Sequence, residues 1–544
     1  MSSSSHDIPT HSQQPRKSSA TEVHGENAQN VVDLSELNGE DQALAQFGYK
    51  PVFKREFGFF ATFSFAASIS ACFATITTTF SYPLYAGGAA SAVWCWLISG
   101  FGCMCIAASV AELVSAYPTA GGLYFTVSRL APPEWIPSIS WITGWLNLIG
   151  QICGVASTEY GSASILLAAV SLGSNGRYTP TTNHTVGVQA ALTVFHGFVN
   201  SLNTKWLAKI TTSYIVFHML SIVTCSIALL AMCPDRHDAT YVFTNVTPDS
   251  GWSPKGFSFL FGFLSVSWTM TDYDATAHIT EEIDEPEKKA PWAIFLAMAL
   301  TYIVGWLFTI VLAFTMGEPT EILASELEQP VIQIFYNNLG RAGAITFAVC
   351  AFVILNSCAI AALHSLARTV FAFSRDRLIP GSRILKIVDK RTDTPIIAVW
   401  WSVFWCAAIN LIALGSYEAV SAIFNVCAIA MDWSYCIPII CKLIYGKFQP
   451  GPWHMGKLST AVNVYACVWT AFVSVIFLFP TYYPVTVDTM NWAIVVLAGI
   501  FVLSTLWWMI SGRKFYIGPI AETQVTEGVM PEKEEEHMEK SALS

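Results

Sequence analysis

Charge is what this chain has least of: Asp, Glu, Lys and Arg make up 12% of its 544 residues, about half the roughly 25% usual in soluble domains. That scarcity excludes a string of water-facing domains, each of which would need a charged surface the sequence cannot supply. With 53% of residues apolar and a mean hydropathy of +0.48, the composition is that of a membrane protein. No basic patch interleaves with aromatics on a soluble unit, so nucleic acid is not expected as a partner. The fourteen cysteines form no framework, since most lie inside apolar runs, as Cys103, Cys350 and Cys436 do. The Cys103-x-Cys105 pair has neither a second pair nor a His cluster, so no metal site or other cofactor is expected. The loops also lack a nucleophile–base arrangement and a phosphate-binding glycine loop, which argues against an enzyme.

The acidic balance of −10 is largely local, with Glu522, Glu527, Glu532, Glu534, Glu535, Glu536 and Glu539 all in the C-terminal stretch. Residues 516–544 are therefore read as an acidic cytosolic tail, open to cytosolic regulators. Residues 1–50, rich in Ser, His, Gln and Asn and without an apolar stretch of signal-peptide length, are read as a disordered cytosolic tail. Between them, 51–515 reads as one all-α integral membrane domain.

What is present there is long apolar runs. From Phe57 to Ala111 there is no charged residue, with Tyr82-Pro83 and Gly87-Gly88 punctuating the middle. Two spans of about 20 residues fit that run. Further spans are expected near 137–170, 186–203, 212–232, 257–283, 291–315, 342–371, 396–414, 419–443, 459–480 and 489–511, about twelve in all. With both termini inside, the inner loops receive most of the Lys and Arg, among them Lys54, Arg55, Lys209, Arg375 and Lys390. The outer loops receive only Arg177, Arg236, Lys255 and Arg341. The sequons at Asn183 and Asn245 fall in loops this topology places outside, as candidate glycosylation sites.

An ionisable group at mid-membrane costs roughly 2.5–3.5 kcal/mol on insertion scales, so each is a functional candidate. They are Glu159 in the third span, Asp272 and Asp274 in the sixth and Asp432 in the tenth, with His196, His218 and His364 beside them. His364 and Asp432 read as groups bonding between helices. The sixth span runs apolar to Ser267 and then through Trp268-Thr269-Met270-Thr271-Asp272-Tyr273-Asp274. A continuous helix gains little from such a run. A broken one exposes amides and carbonyls at its half-helix ends that can bind a substrate's charged groups. The first span has a matching stretch of Ala, Ser and Thr between Ala61 and Ala71. Small residues suit close helix packing equally well, but the two spans are corresponding positions of two five-span halves.

The loop Ala111-Glu112-Leu113-Val114-Ser115-Ala116-Tyr117-Pro118-Thr119-Ala120-Gly121-Gly122-Leu123-Tyr124 resembles the signature after the second span of amino acid–polyamine–organocation (APC) transporters. The stretch Trp268 to Asp274, the following Ile279-Thr280-Glu281-Glu282, and Ala367 to Asp376 resemble its fungal amino acid/choline branch. The resemblance implies a LeuT-like fold of two inverted five-helix repeats, about 57–232 and 257–443, plus two extra helices at 459–480 and 489–511. It implies alternating access and a substrate site at the two broken spans. By motif position Ala67, Ser68 and Ser70 would lie at the first break, and Trp268, Thr269, Thr271, Asp272 and Asp274 at the second.

The branch includes permeases for 4-aminobutyrate, choline and polyamines. A 4-aminobutyrate-like amino acid is ranked first on that resemblance alone, with choline or a polyamine as the alternative and a nutrient-sensing transceptor as an alternative of another class. For an amino acid, Asp272 or Asp274 would take the ammonium. For choline, Trp268, Tyr273 and Phe65 would cage the cation, and for a polyamine Glu159 would add a carboxylate. The coupling ion is expected to be H⁺. The resemblance sets His218 where some proton-coupled bacterial relatives have a lysine, with Asp274 and Glu159 as competing carriers. Ion pairs among Glu112, Arg129, Arg368 and Arg375 could close the inner end, with no particular pair favoured. The membrane expected is the plasma membrane, or the vacuolar one.

Overall fold

The computed structural model describes residues 52–519 except 203, 416 and 488, together with 30–32, 44, 45, 47, 49 and 523–525. Among the described residues, ten helices are long and apolar enough to cross a membrane. The broken segment 255–282 and the helix Thr182–Asn200 complete the twelve crossings. In hydrocarbon each crossing must satisfy its own backbone, which is why every span is helical and why the interruptions are confined to protein-lined interior.

The first span is Phe59–Ser70 followed by Cys72–Thr79, and the second is Ser81–Ala116. The third is Ile136–Gly173, the fourth Thr182–Asn200 and the fifth Thr204–Met232. The sixth is 255–282, the seventh Pro286–Thr315 and the eighth Pro330–Arg375, kinked at Gly340. Ile396–Asn410, Tyr417–Tyr445, Ser459–Ile476 and Ala493–Trp507 are the ninth to twelfth. The third span packs along the eighth and tenth, and the second along the seventh. Burial separates core from rim: 83% of the tenth span's apolar window is buried against 11% of the twelfth's. The apolar face of the twelfth is therefore left to lipid.

Both expected interruptions are present, at different precision. The sixth span runs Lys255–Leu260, Phe263–Thr269, then unwinds and resumes as Ala275–His278 and a short Thr280–Glu282 turn. Asp272 stands in the left-handed region at φ 59°, a conformation that costs a non-glycine residue about 1–2 kcal/mol. The first span breaks at Ala71, with φ 40° and ψ 43°, rather than across 67–70. The reason is local. Backbone bonding runs on past Ser68, with Ala71 N–H donating to the Ala67 carbonyl at 3.1 Å, and Ser68 spends its hydroxyl on the Ser64 carbonyl at 2.7 Å. Thr75 Oγ1 donates to the Ser70 carbonyl at 2.9 Å, capping a group the break releases, while the Ala71 carbonyl accepts the Ala74 and Thr75 N–H groups that start the next half-helix.

The two broken spans are tied at one end, where Glu56 and Phe57 donate backbone N–H to the Glu282 carbonyl and Asp284 donates to that of Phe57. This end, which carries Glu281, Glu282, Arg368 and Arg375, is called the gate end below. The expected tails lie for the most part outside the described residues. Where they are described, Leu44, Ala45 and Tyr49 are buried, so packing begins before the boundary set at residue 50.

Candidate functional site

Between the two breaks lies a cavity of about 30 Å³, room for about two water molecules. Ile69 and Thr75 line it from the first span, Gln151 and Thr158 from the third, and Cys358 and Met431 from the eighth and tenth. The sixth span contributes Trp268, Thr269, Thr271 and Asp272. The tenth span can close on the third because Gly150 carries no side chain, since a Cβ there would stand 2.5 Å from the Met431 sulfur. Thr269 Oγ1, Thr271 Oγ1 and Asp272 Oδ1 are buried and have no hydrogen-bond partner among the described residues. Three unsatisfied polar atoms converging on one space mark a place that awaits a polar ligand. The lining contains one carboxylate and no Lys or Arg.

Of the residues expected at the site, Trp268, Thr269, Thr271 and Asp272 line the cavity, while Ala67, Ser68, Ser70 and Asp274 stand outside its lining. Ser68 is occupied by its own helix, and Ser70 contacts the Met298 sulfur at 3.8 Å. Glu159 faces away, with Oε1 at 2.7 Å from His196 Nδ1, and the His196 ring reaches Asn356 at 2.9 Å. His218 Nε2 accepts the Phe73 N–H at 3.2 Å, capping the second half of the first span just after its break. Asp432 lies beside Cys103 and Tyr273. His364 approaches Glu282 at 3.4 Å. Asn183 is exposed in the first turn of the fourth span, and Asn245 is half-buried at the end of the short helix Ala239–Thr244.

Toward the opposite end the Trp268 and Phe424 rings meet at 4.8 Å. Beyond them opens a vestibule of about 60 Å³ whose walls include Thr78, Tyr82, Tyr160, Glu328 and Phe424. Trp268 lines the cavity and Phe424 the vestibule, so this aromatic pair stands at their boundary. The gate end is far thicker. Arg368 Nε donates to Glu282 at 2.6 Å and Arg375 to Glu281 at 3.3 Å, all four side chains buried. Tyr49 stacks on the Arg375 guanidinium at 3.7 Å, and Phe53 on that of Arg368 at 5.3 Å. Glu112 pairs with Lys442 at 2.5 Å, whereas Arg129 packs on Phe125 and makes no ion pair among the described residues.

His278, which the sequence reading passed over, sits in this layer. The signal was available as an Asp–His pair at i, i+4 on a short polar half-helix. Its Nε2 is 3.1 Å from Asp274 Oδ2 and its Nδ1 2.9 Å from the Ala120 carbonyl. Asp274 also accepts from Asn147 at 2.5 Å and from Tyr435 at 2.7 Å. The signature turn can reach His278 because Gly122 has φ 55° and a Cβ there would stand 2.9 Å from the imidazole Cε1. Gly122→Ala combines a left-handed backbone with that clash, a penalty of about 1–3 kcal/mol against closure. Uptake is expected to fall about tenfold or more at normal surface abundance, checked by transport and surface labelling on the same cells.

Comparison with known proteins agrees with this architecture. The amino acid permease family model matches residues 57–501. An uncharacterised amino-acid permease of Schizosaccharomyces pombe is 59% identical over 492 residues, covering 90% of this chain and 91% of its own. Amino-acid permease 2 of Neurospora crassa is 47% identical over 504 residues, covering 92% and 93%. Amino-acid permease BAT1 of Arabidopsis thaliana is 31% identical over 495 residues, covering 88% and 96%. With a central polar cavity between two broken spans, closed at both ends by side chains, the chain belongs to the amino acid permease family of the APC superfamily and is a multi-pass membrane transporter, not an enzyme.

Proposed function

We propose that this permease takes up a small amino acid of the 4-aminobutyrate type by H⁺ symport, alternating access between the vestibule and the gate end. The observation that carries this reading is the partnerless Asp272 carboxyl oxygen in a cavity without a basic side chain. A substrate ammonium would supply the missing donor. The N-terminal end of the half-helix Cys72–Thr79, beside the lining residue Thr75, offers the positive end of a helix dipole to a carboxylate. The cavity is contracted, so substrate must widen it, and the Trp268–Phe424 pair is the thinner wall to move.

The other substrates find less support. Choline would want an aromatic cage, and Trp268 is the one aromatic residue in the described lining, with Phe65 packed instead on Phe57 and His364. A polyamine would want a second carboxylate, and Glu159 is turned to His196. With the termini cytosolic, the gate end is the cytoplasmic end and the vestibule the outer one. The plasma membrane is the site this reading favours.

Of the three groups expected to carry the proton, Asp274 alone lies in the sixth-span break, next in sequence but one to Asp272. His218 acts in this reading as a cap. His218→Gln keeps an acceptor for Phe73 N–H, and uptake is expected to stay within about twofold of wild type. His218→Leu leaves that buried N–H without a partner, a loss of about 1–3 kcal/mol that lowers thermal stability in detergent. Labelled 4-aminobutyrate, choline, spermidine and a neutral amino acid, offered to transporter-deficient cells with and without a protonophore, test the whole reading. Accumulation of choline or spermidine alone would sink the substrate assignment.

A further inference from the structure

The hydrogen bonds around His278 fix how many protons it holds. The Ala120 carbonyl can only accept, so Nδ1 must carry a hydrogen to make its 2.9 Å contact. At the other nitrogen, 3.1 Å from Asp274 Oδ2, two arrangements give a bond. Either Nε2 is protonated and faces a carboxylate, or a neutral ring accepts from a protonated Asp274. Both contain one proton shared between the two residues. Remove it, and a lone pair on Nε2 faces an ionised carboxylate already filled on its other sides by Asn147 and Tyr435. That contact is repulsive.

We propose that His278 and Asp274 form a proton-binding site whose occupancy holds the signature turn at Ala120 onto the sixth span and so keeps the gate end closed. The inference rests on the reading of the chain as a proton-coupled permease. The turn is bound to the sixth span at two points, by His278 to the Ala120 carbonyl and by Ala120 N–H to Glu281 Oε1 at 3.3 Å. Glu281 is also the partner of Arg375, so the proton site and the gate ion pair share one backbone unit. Other ionisable groups face the pair from each packed element. The sixth span gives Asp272, whose carboxyl lies against that of Asp274, and Tyr273, and the tenth gives Tyr435 and Cys427. The eighth gives Arg375 by way of Glu281, and the third span and the turn present no charged side chain to the ring among the described residues. Asp272 also lines the cavity, which sets the proton site beside the substrate site. In this scheme the proton arrives while the gate end is shut. Once the turn lifts and water enters, it leaves from His278 Nε2 or the Asp274 carboxyl to that water.

Thr119, buried next to Ala120, serves as a reporter in the full-length protein. Labelling of Thr119→Cys by a charged maleimide in inside-out vesicles, with the parent chain as blank, reads opening of the gate end without any substrate. From about pH 5.5 to about pH 8, labelling is expected to quicken about tenfold. In His278→Gln, which cannot hold the shared proton, it should be fast at both pH values. In Asp274→Asn, whose amide nitrogen donates to His278 Nε2 while giving up the Asn147 contact, it should be slow at both. A loss of packing alone would move the two variants in the same direction, and that result, or an unchanged pH step in either, would overturn the proposal. Amino acid uptake measured on the same vesicles separates the two readings. A wild type that carries no amino acid yet shows opposite shifts in the variants removes the transport reading and leaves the proton site standing.

Discussion

Asp272→Asn is expected to lower uptake about a hundredfold or more while the protein reaches the membrane in normal amount. The cause is unmet charge. Among the described residues, Asp272 Oδ1 is buried without a partner in a lining that holds no other charged side chain. A substrate ammonium placed there forms a charge-assisted contact in a water-poor site. Such hydrogen bonds contribute about 1.5–3 kcal/mol each, and 1.4 kcal/mol is a factor of ten. Asn keeps the shape and removes the charge, so the loss should appear in affinity as well as rate. Thr269→Val and Thr271→Val, which delete neutral acceptors at the same wall, should cost about 1 kcal/mol each, or roughly fivefold. Concentration-dependent uptake measured beside surface biotinylation checks all three. Equal losses in the three variants would mean that Asp272 acts through the fold and not through the substrate.

The second large effect is expected at the gate end. Arg368→Ala strands Glu282 at 1% side-chain exposure, with His364 at 3.4 Å as its remaining ionisable neighbour among the described residues. Breaking a buried pair from one side costs about 3–5 kcal/mol, because the surviving charge keeps its desolvation penalty. The state that pays it is the closed one. Arg368→Ala should therefore shift the protein toward the gate-open form, reducing accumulation at least tenfold and lowering thermal stability in detergent. Pairing Arg368→Met with Glu282→Gln removes both charges. That double variant should recover much of the stability, and a double-mutant cycle reports the coupling directly.

The sixth-span break was legible because Thr, Thr, Asp and Asp in an apolar run have no reason to be there in a continuous helix. Its lining residues Trp268, Thr269, Thr271 and Asp272 follow from the same run. The first-span break was not legible to the residue, since Ala, Ser and Thr are all tolerated in helix and Ala71 takes a left-handed conformation without a glycine to announce it. Glu159 stood out as an intramembrane charge, but its partner His196 lies on another span, and only packing reveals which face the pair occupies. The gate was half legible. Arg368 and Arg375, seven residues apart, lie on one face of the eighth span, and Glu281 and Glu282 are adjacent. Which arginine takes which glutamate depends on how the eighth span sits against the sixth. His278 escaped because its meaning comes from Ala120, which reaches it only through the turn that Gly122 permits.

The most direct test of the account is accumulation of labelled 4-aminobutyrate and neutral amino acids by the purified full-length protein in proteoliposomes under an imposed proton gradient, with Asp272→Asn alongside. The account predicts saturable uptake above equilibrium that collapses with a protonophore and is absent in the variant. Uptake that neither saturates nor concentrates, or accumulation that persists undiminished in Asp272→Asn, would contradict it.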